Sequence, residues 1–403
     1  MGGARTRALR LRSQRLTGPA AASVEEVAAR LVGVQAQDLA FARLAFRPRT
    51  AGVTAADVDA ALRGRALVWT WTMRGTLHLV AAQDAGWLVG LLGPIFAAKG
   101  RPRRLALGLD DELCERALAV LRDVLAADGP QTRAALTARL PIDRDGQAPA
   151  HLVMYAALRG VICRAPRFAG EREPTYVLLE DWLGGPPAQV EEDDALARLA
   201  RRYLAGHGPA TARDLASWSG IGLRRARRGF EQIASELHTE GEAGAMLRSA
   251  GGGDELRDPG DAAAMPRSEG GGDDLRVDAD DRPLPAGAAP AHERTSACPQ
   301  VALLGHFDPY LLGYATRDLV LDPRHAKRIQ AGGGFIAPAA LLDGRVVGTW
   351  RRGRDDWLEP FEPLSGGVLA ALERERGDVE RFLAEPSGRG SPSRSDTGRN
   401  PAS

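Results

Sequence analysis

Lysine is almost missing from this chain: of its 53 basic residues only Lys99 and Lys327 are lysines, and the rest are arginines. A reaction that needs an amine nucleophile therefore has little to draw on. Cysteine is as scarce, with Cys114, Cys163 and Cys298 far apart and in no metal-ligand spacing. That spacing argues against a zinc site or a disulfide framework and favours a reducing cytosol. No apolar run reaches the roughly 18 residues that a membrane-spanning helix needs, so none is expected. Residues 1–16 carry five arginines, no acid and no long apolar run, which does not resemble a secretory signal. The glycine runs at 251–253, 270–272 and 332–334 lack the lysine of a nucleotide-phosphate loop. No metal and no cofactor is expected.

What is present is the balance of a soluble globular protein, with 403 residues, 44% apolar and 26% charged. That length allows two or three domains. The net charge of +1 conceals a segregated distribution. Arginines and one lysine cluster at Arg5, Arg7, Arg10, Arg12 and Arg15, at Lys99 to Arg104, and at Arg224, Arg225, Arg227 and Arg228. Acids gather in 171–194 and 236–282. A GC-rich genome alone could produce so many arginines, but basic stripes on a near-neutral chain also suit phosphate bound along one face.

A weak repeat organises the middle of the chain. GPQTRAALTARL at 129–140 matches GPATARDLASWS at 208–219. Before each Gly-Pro lies a helical stripe, Leu113, Ala117, Leu121 and Val124 in one copy and Leu196, Leu199, Ala200 and Tyr203 in the other. Thr132 and Thr211 then suit the N-caps of short second helices. Third helices follow at 147–159 and 220–237. Val161–Cys163 and Tyr176–Leu179 read as a two-stranded ribbon whose loop holds Arg164, Arg167 and Arg172. Three helices and a ribbon make a winged helix-turn-helix. The expected fold is mainly α with small β wings: three tandem winged-helix units at 5–105, 110–183 and 193–240, then a β-rich segment at 299–384. Residues 241–297, rich in Gly, Asp and Pro, read as a mobile insertion, and 385–403 as a disordered tail. Asp343-Gly344 between apolar runs 335–342 and 345–350 signals a hairpin, and a last helix is expected near 366–384.

The first unit contains Gln35-Ala36-Gln37-Asp38 just after Gly33. On a continued helix two residues apart diverge by about 200°, but on a chain broken at Gly33 both amides can face one side. Spacing alone leaves open that both merely satisfy local backbone groups. Arg74, Thr76 and His78 alternate as on a strand and could line a face near them, or form a polar cluster beneath the unit. Arg224, Arg225, Arg227 and Arg228 begin the third helix of the last repeat, where a recognition helix meets DNA, or form a solvated face. In FDPY, Asp308-Pro309 reads as a turn, with Tyr310 and Tyr314 as packing residues.

Three blocks in order, RLVGVQAQDLAFARLAF, LVWTWTMRGTLHLVAAQD and LLGHFDPYLLGYATRD, together resemble the AlkZ/YcaQ winged-helix family, over residues 8–240 and 299–384. The resemblance implies a monofunctional DNA glycosylase acting on N7-alkylated purines, in some members on interstrand crosslinks. It implies Gln35 and Gln37 as the catalytic pair. From their places in the chain, Arg74, His78, Arg224, Arg225, Arg227 and Arg228 are the expected DNA contacts, and a monomer on double-stranded DNA in the cytoplasm, associated with the nucleoid, is expected. The insertion at 241–297 departs from the family pattern. The chemistry is consistent, because an N7-alkylated guanine is already cationic and leaves without an acid. Two carbonyls then need only hold a water, and such positioning can contribute about 7 kcal/mol. The alternative is a winged-helix regulator that binds DNA and cleaves nothing.

Overall fold

The computed structural model describes residues 2–140, 142, 146–166, 173–240, 244–248, 299–332 and 334–384. The expected tail at 385–403, most of the expected insertion, Arg167, Arg172 and Cys298 lie outside them. The chain is α-rich with small antiparallel sheets. It starts with α1 (Gly2–Ser13), after which one order of elements comes three times. First are α2 (Val24–Arg30), β1 (Val34–Gln35), α3 (Leu39–Phe46), α4 (Ala55–Arg63), β2 (Leu67–Trp71) and β3 (Leu77–Ala81). After α5 (Ala82–Ala106) come α6 (Asp111–Asp128), β4 (Gln131–Thr132), α7 (Arg133–Ala138), α8 (Ala148–Leu158), β5 (Ile162–Ala165) and β6 (Thr175–Leu178). Beyond α9 (Leu179–Leu183) lie α10 (Glu192–His207), α11 (Ala212–Ser219), α12 (Leu223–Gln232), β7 (Leu237–Thr239) and β8 (Ala245–Leu247). A single bridge, Ala210 to Ala245, takes the place of the short strand in the third set.

Local chemistry sets these boundaries. Thr132 and Thr211 cap α7 and α11 by accepting from the N–H of Ala135 and Asp214, and Asp214 returns the bond to Thr211. Two expectations are corrected. The helix expected over 220–237 runs only from Leu223 to Gln232, because Gly220 and Gly222 take left-handed φ values of 81° and 87° and Leu237 opens β7. Residues 245–247, assigned to the insertion, are instead the second strand of that ribbon.

The first two sets merge edge to edge into one six-stranded sheet, β1-β3-β2-β5-β6-β4. Trp69 of β2 pairs with Arg164 of β5 at the seam. The Arg164 guanidinium stacks 4.2 Å from the Trp69 ring centre, and Trp69 Nε1 donates to Ala36 O at 2.8 Å. The seam therefore touches the backbone between the two glutamines.

The C-terminal segment contains β9 (Val301–Leu304), α13 (Pro309–Leu312), α14 (Ala326–Ile329), β10 (Ala339–Leu342), β11 (Arg345–Trp350), β12 (Leu358–Pro360) and α15 (Gly366–Leu383). Its sheet runs β12-β11-β10-β9. Asp343 and Gly344, both with positive φ, make the expected hairpin turn, but β10 begins at Ala339 rather than Phe335. Pro338, which has no N–H, immediately precedes it. Residues alternate across the sheet: Leu303 and Ala340 meet Val368 and Leu372 of α15, whereas Leu304 and Leu341 meet Leu11, Tyr310 and Ile329.

A buried ion pair ties this segment to the first set. Arg49, just after α3, grips Asp308 through two bonds of 2.9 and 2.7 Å, with both side chains fully buried. The same guanidinium donates to Ala45 O and Gln14 Oε1. Asp308, which the sequence presents as a turn residue, also caps α13. Removing one member strands a buried charge, and such losses run to about 3–5 kcal/mol. Arg49→Met should lose about that much stability in urea denaturation, and adding Asp308→Leu should restore a large part of it. A single-variant loss below about 1 kcal/mol would contradict this account.

Candidate active site

Gly33 breaks the chain after α2 with φ 124°, and a Cβ there would lie 2.9 Å from Val80 Cγ1. Val34 and Gln35 then enter the sheet beside β3, and Asp38 caps α3 by accepting from Ala40 N at 2.8 Å. Gln35 and Gln37 thus sit on a short extended passage between strand and helix, and they are in contact, Gln35 Nε2 donating to Gln37 Oε1. Gln35 is buried, at 8% exposure, while Gln37 is open to solvent.

Arg74 completes the group. Its Nη2 donates to Gln35 Oε1 at 2.6 Å, and its Nη1 donates to the backbone oxygen of Trp218 in α11. Arg74 is not on a strand as its alternation with His78 suggests; it stands in a tight turn with φ 57°. Burial, and then the nearby Arg317 charge, lowers its pKa to about 10, so it stays charged at neutral pH. His78 faces Gln35 across the β1–β3 ladder and Thr70 across β2–β3, making one row over three strands. It is 2% exposed, and burial, followed by the Arg74 charge, drives its pKa down to about 3. Its Nδ1 lies 2.9 Å from Thr76 O and must donate there, leaving Nε2 as an acceptor. His78 is therefore a buried, neutral neighbour of Gln35 within the sheet.

Gln37 lines a cavity of about 440 Å³ shared with Asp38, Arg43, Arg63, Trp69 and Arg164. Arg43 is held by Asp59 through two bonds of 2.8 Å, whereas Arg63 and Arg164 have no ion pair among the described residues. A larger cavity of about 850 Å³ shares Ala40, Arg43 and Asp59 and adds Phe41, His306 and Phe335. In α12, Arg225 and Arg228 are engaged by Glu192 and Asp193 of α10, while Arg224 and Arg227 are exposed without an ion pair among the described residues. Sequence reasoning missed Lys99 as a neighbour of the site: its Nζ donates to Gly220 O at 2.5 Å, two residues from the Trp218 oxygen that holds Arg74. Only its membership of a basic cluster pointed to it. Among the described residues no group of His, Cys, Asp or Glu is placed to hold a metal ion, and no helix is long and apolar enough to cross a membrane.

Such a site sets two neutral amide groups in contact beside a cation-lined cavity. The family model "DNA glycosylase AlkZ-like" matches residues 28–382. The chain belongs to the AlkZ-like DNA glycosylase family. It is therefore a DNA glycosylase, a hydrolase of N-glycosyl bonds in DNA repair, and not a regulator that only binds. Among the relatives of this AlkZ-like glycosylase is an interstrand DNA cross-link repair glycosylase from Streptomyces sahachiroi, 29% identical over 93% of this chain and 94% of that protein. The solved structure of Streptomyces sahachiroi DNA glycosylase AlkZ superposes with a TM-score of 0.74 at 26% identity, covering 95% of this chain and 96% of that one.

The buried histidines set a pH dependence. His207, packed among Tyr203, Trp218 and Tyr314, is also driven down to about 3, chiefly by burial. With folded values near 3 and unfolded values near 6.5, the unfolded chain binds more protons between them, so stability falls as pH drops through that window. From pH 6.5 to 4.5 each histidine should remove about 2–3 kcal/mol, read as a falling Tm. His207→Phe should flatten the curve in that window; an unchanged slope would refute the assignment.

Proposed function

We propose that this glycosylase hydrolyses the bond between deoxyribose and an N7-alkylated purine in double-stranded DNA, with Gln35 and Gln37 holding the attacking water. The observation that carries the reading is the contact between the two amides at the edge of the cation-lined cavity. Each carbonyl has two lone pairs and spends one, on Arg74 or on Gln35, so each keeps one for the water. The alkylated base leaves with the bonding pair, which neutralises its ring charge. The water oxygen bonds to the anomeric carbon and loses a proton to solvent, leaving free base and an abasic site. Neutral carbonyls suit this task because they stabilise an oxocarbenium-like sugar without drawing the cationic base into an ion pair. Ordinary purines, whose departure needs protonation, are spared. The cavity beside Gln37 has room for a substituted purine, and the Streptomyces sahachiroi relative is named for repair of interstrand DNA crosslinks.

The fold supports a reading as three tandem winged-helix units, because helix, short strand, two helices and a ribbon recur in the same order. The protein works in this reading as a monomer, in the cytoplasm on nucleoid DNA. Arg224 and Arg227, exposed and without an ion pair among the described residues, are the contacts of α12 with phosphate, and Arg225 and Arg228 join them only by leaving their acids.

DNA bearing N7-methylguanine should lose free base above the spontaneous rate, and Gln35→Ala with Gln37→Ala should slow release at least about 100-fold with Kd nearly unchanged. Intact binding without release by the parent protein would defeat the proposal. Replacing Arg224 or Arg227 by Ala should each reduce the salt slope of binding by about 0.9; an unchanged slope would remove that residue from the interface.

A further inference from the structure

An amide is ambiguous in a way that matters here. Its oxygen and nitrogen ends are nearly the same size, and a glutamine turned about its last bond presents a donor where a water needs an acceptor. Two adjacent glutamines could settle their mutual bond with either polarity. We propose that Arg74 is the positioning residue that sets this polarity and so turns both amides to the catalytic orientation; the inference rests on the water-holding role proposed for Gln35 and Gln37.

A guanidinium only donates, so the end of Gln35 that lies 2.6 Å from Arg74 Nη2 must be the oxygen. The nitrogen end of Gln35 then faces Gln37 and donates, so the end of Gln37 that receives it must also be the oxygen. One cation fixes two amides in series. A neutral hydroxyl or amide in place of Arg74 could donate or accept and would leave the relay free to reverse. Bonds in such a series polarise each other, which strengthens the preference.

Arg74 is itself held in place. Its other terminal nitrogen is on Trp218 O, and its backbone takes a left-handed φ of 57°, uncommon for a residue with a side chain. The turn between α11 and α12 presses against it: a Cβ on Gly220 would lie 3.2 Å from Arg74 Cα and 2.9 Å from Phe96 Cζ. No carboxylate pairs with Arg74 among the described residues; its acceptors are the neutral oxygens of Gln35 and Trp218. With each terminal nitrogen on a protein acceptor, Arg74 acts through Gln35.

The test separates chemistry from binding by single-turnover release of N7-methylguanine at saturating protein, with Kd measured on the same duplex. Arg74→Met, similar in length and without donors, should slow release about 100-fold with Kd within threefold. Arg74→Lys should recover about tenfold of that loss, and guanidinium ion added to Arg74→Ala should recover part of it where ethylammonium does not. A residue needed only for packing would show none of this donor-specific recovery. Should Arg74→Met fail to fold, Gln35→Glu serves: its carboxylate accepts from Arg74 but cannot donate to Gln37, so release should fall about 100-fold in a folded, DNA-binding protein. The inference is overturned if Arg74→Met releases base at the parent rate, if release and affinity fall in parallel, or if Gln35→Glu remains as fast as the parent. Absence of release by the parent protein itself would instead sink the catalytic reading on which the inference stands.

Discussion

The structure depends most on one buried pair of charges. Arg49 follows α3 directly and also bonds Ala45 O near the end of that helix, so its grip on Asp308 fixes the C-terminal end of α3 against the C-terminal segment. The N-terminal end of the same helix begins at Asp38, next to Gln37. A short helix anchored at its far end by a desolvated, bidentate ion pair cannot swing freely at its near end. Gln14 accepts from Arg49 and donates toward Tyr314, whose hydroxyl reaches His207 O, so the first and third sets of elements converge on one node. Apolar packing could hold these parts together, but directional bonds hold them at one angle.

Around that frame the candidate site is built from groups without charge of their own. Gln35, Gln37 and His78 are neutral, and Arg74 donates from each terminal nitrogen to a neutral oxygen. The excess of arginine over lysine suits such a place, since a planar guanidinium can hold two acceptors at once where an ammonium acts as a point charge. Elsewhere arginines answer acids, as Arg202 answers the buried Asp84 and Arg225 answers Glu192. Cations left without an acid among the described residues, Arg63 and Arg164 at the cavity and Arg224 and Arg227 on α12, mark surfaces where an anion can still add something.

Local rules accounted for much of the fold. The Thr caps after each Gly-Pro, the Asp-Gly hairpin and the apolar stripes of α6 and α10 act between residues a few positions apart, so periodicity exposes them. Elsewhere distant parts of the chain decide the local structure. Residues 245–247 look like the start of a polar insertion because Gly241, Glu242 and Gly244 precede them and a glycine run follows, yet they form a strand once Leu237–Thr239 lies alongside. Arg74 and His78 alternate like strand neighbours, but a left-handed turn separates them, and only one is on β3.

The sequence by itself determined the family, the helical framework and the Gln-Ala-Gln passage after a glycine break, because each is written in short-range pattern. Only the tertiary structure decided that the two amides touch, that Arg74 donates to the first of them and that His78 lies buried and uncharged beside it. Those facts depend on α11 meeting a turn more than a hundred positions away in the chain, and on how completely water is removed there. Neither contact geometry nor burial has a signature at neighbouring positions, so they are fixed by packing of the whole.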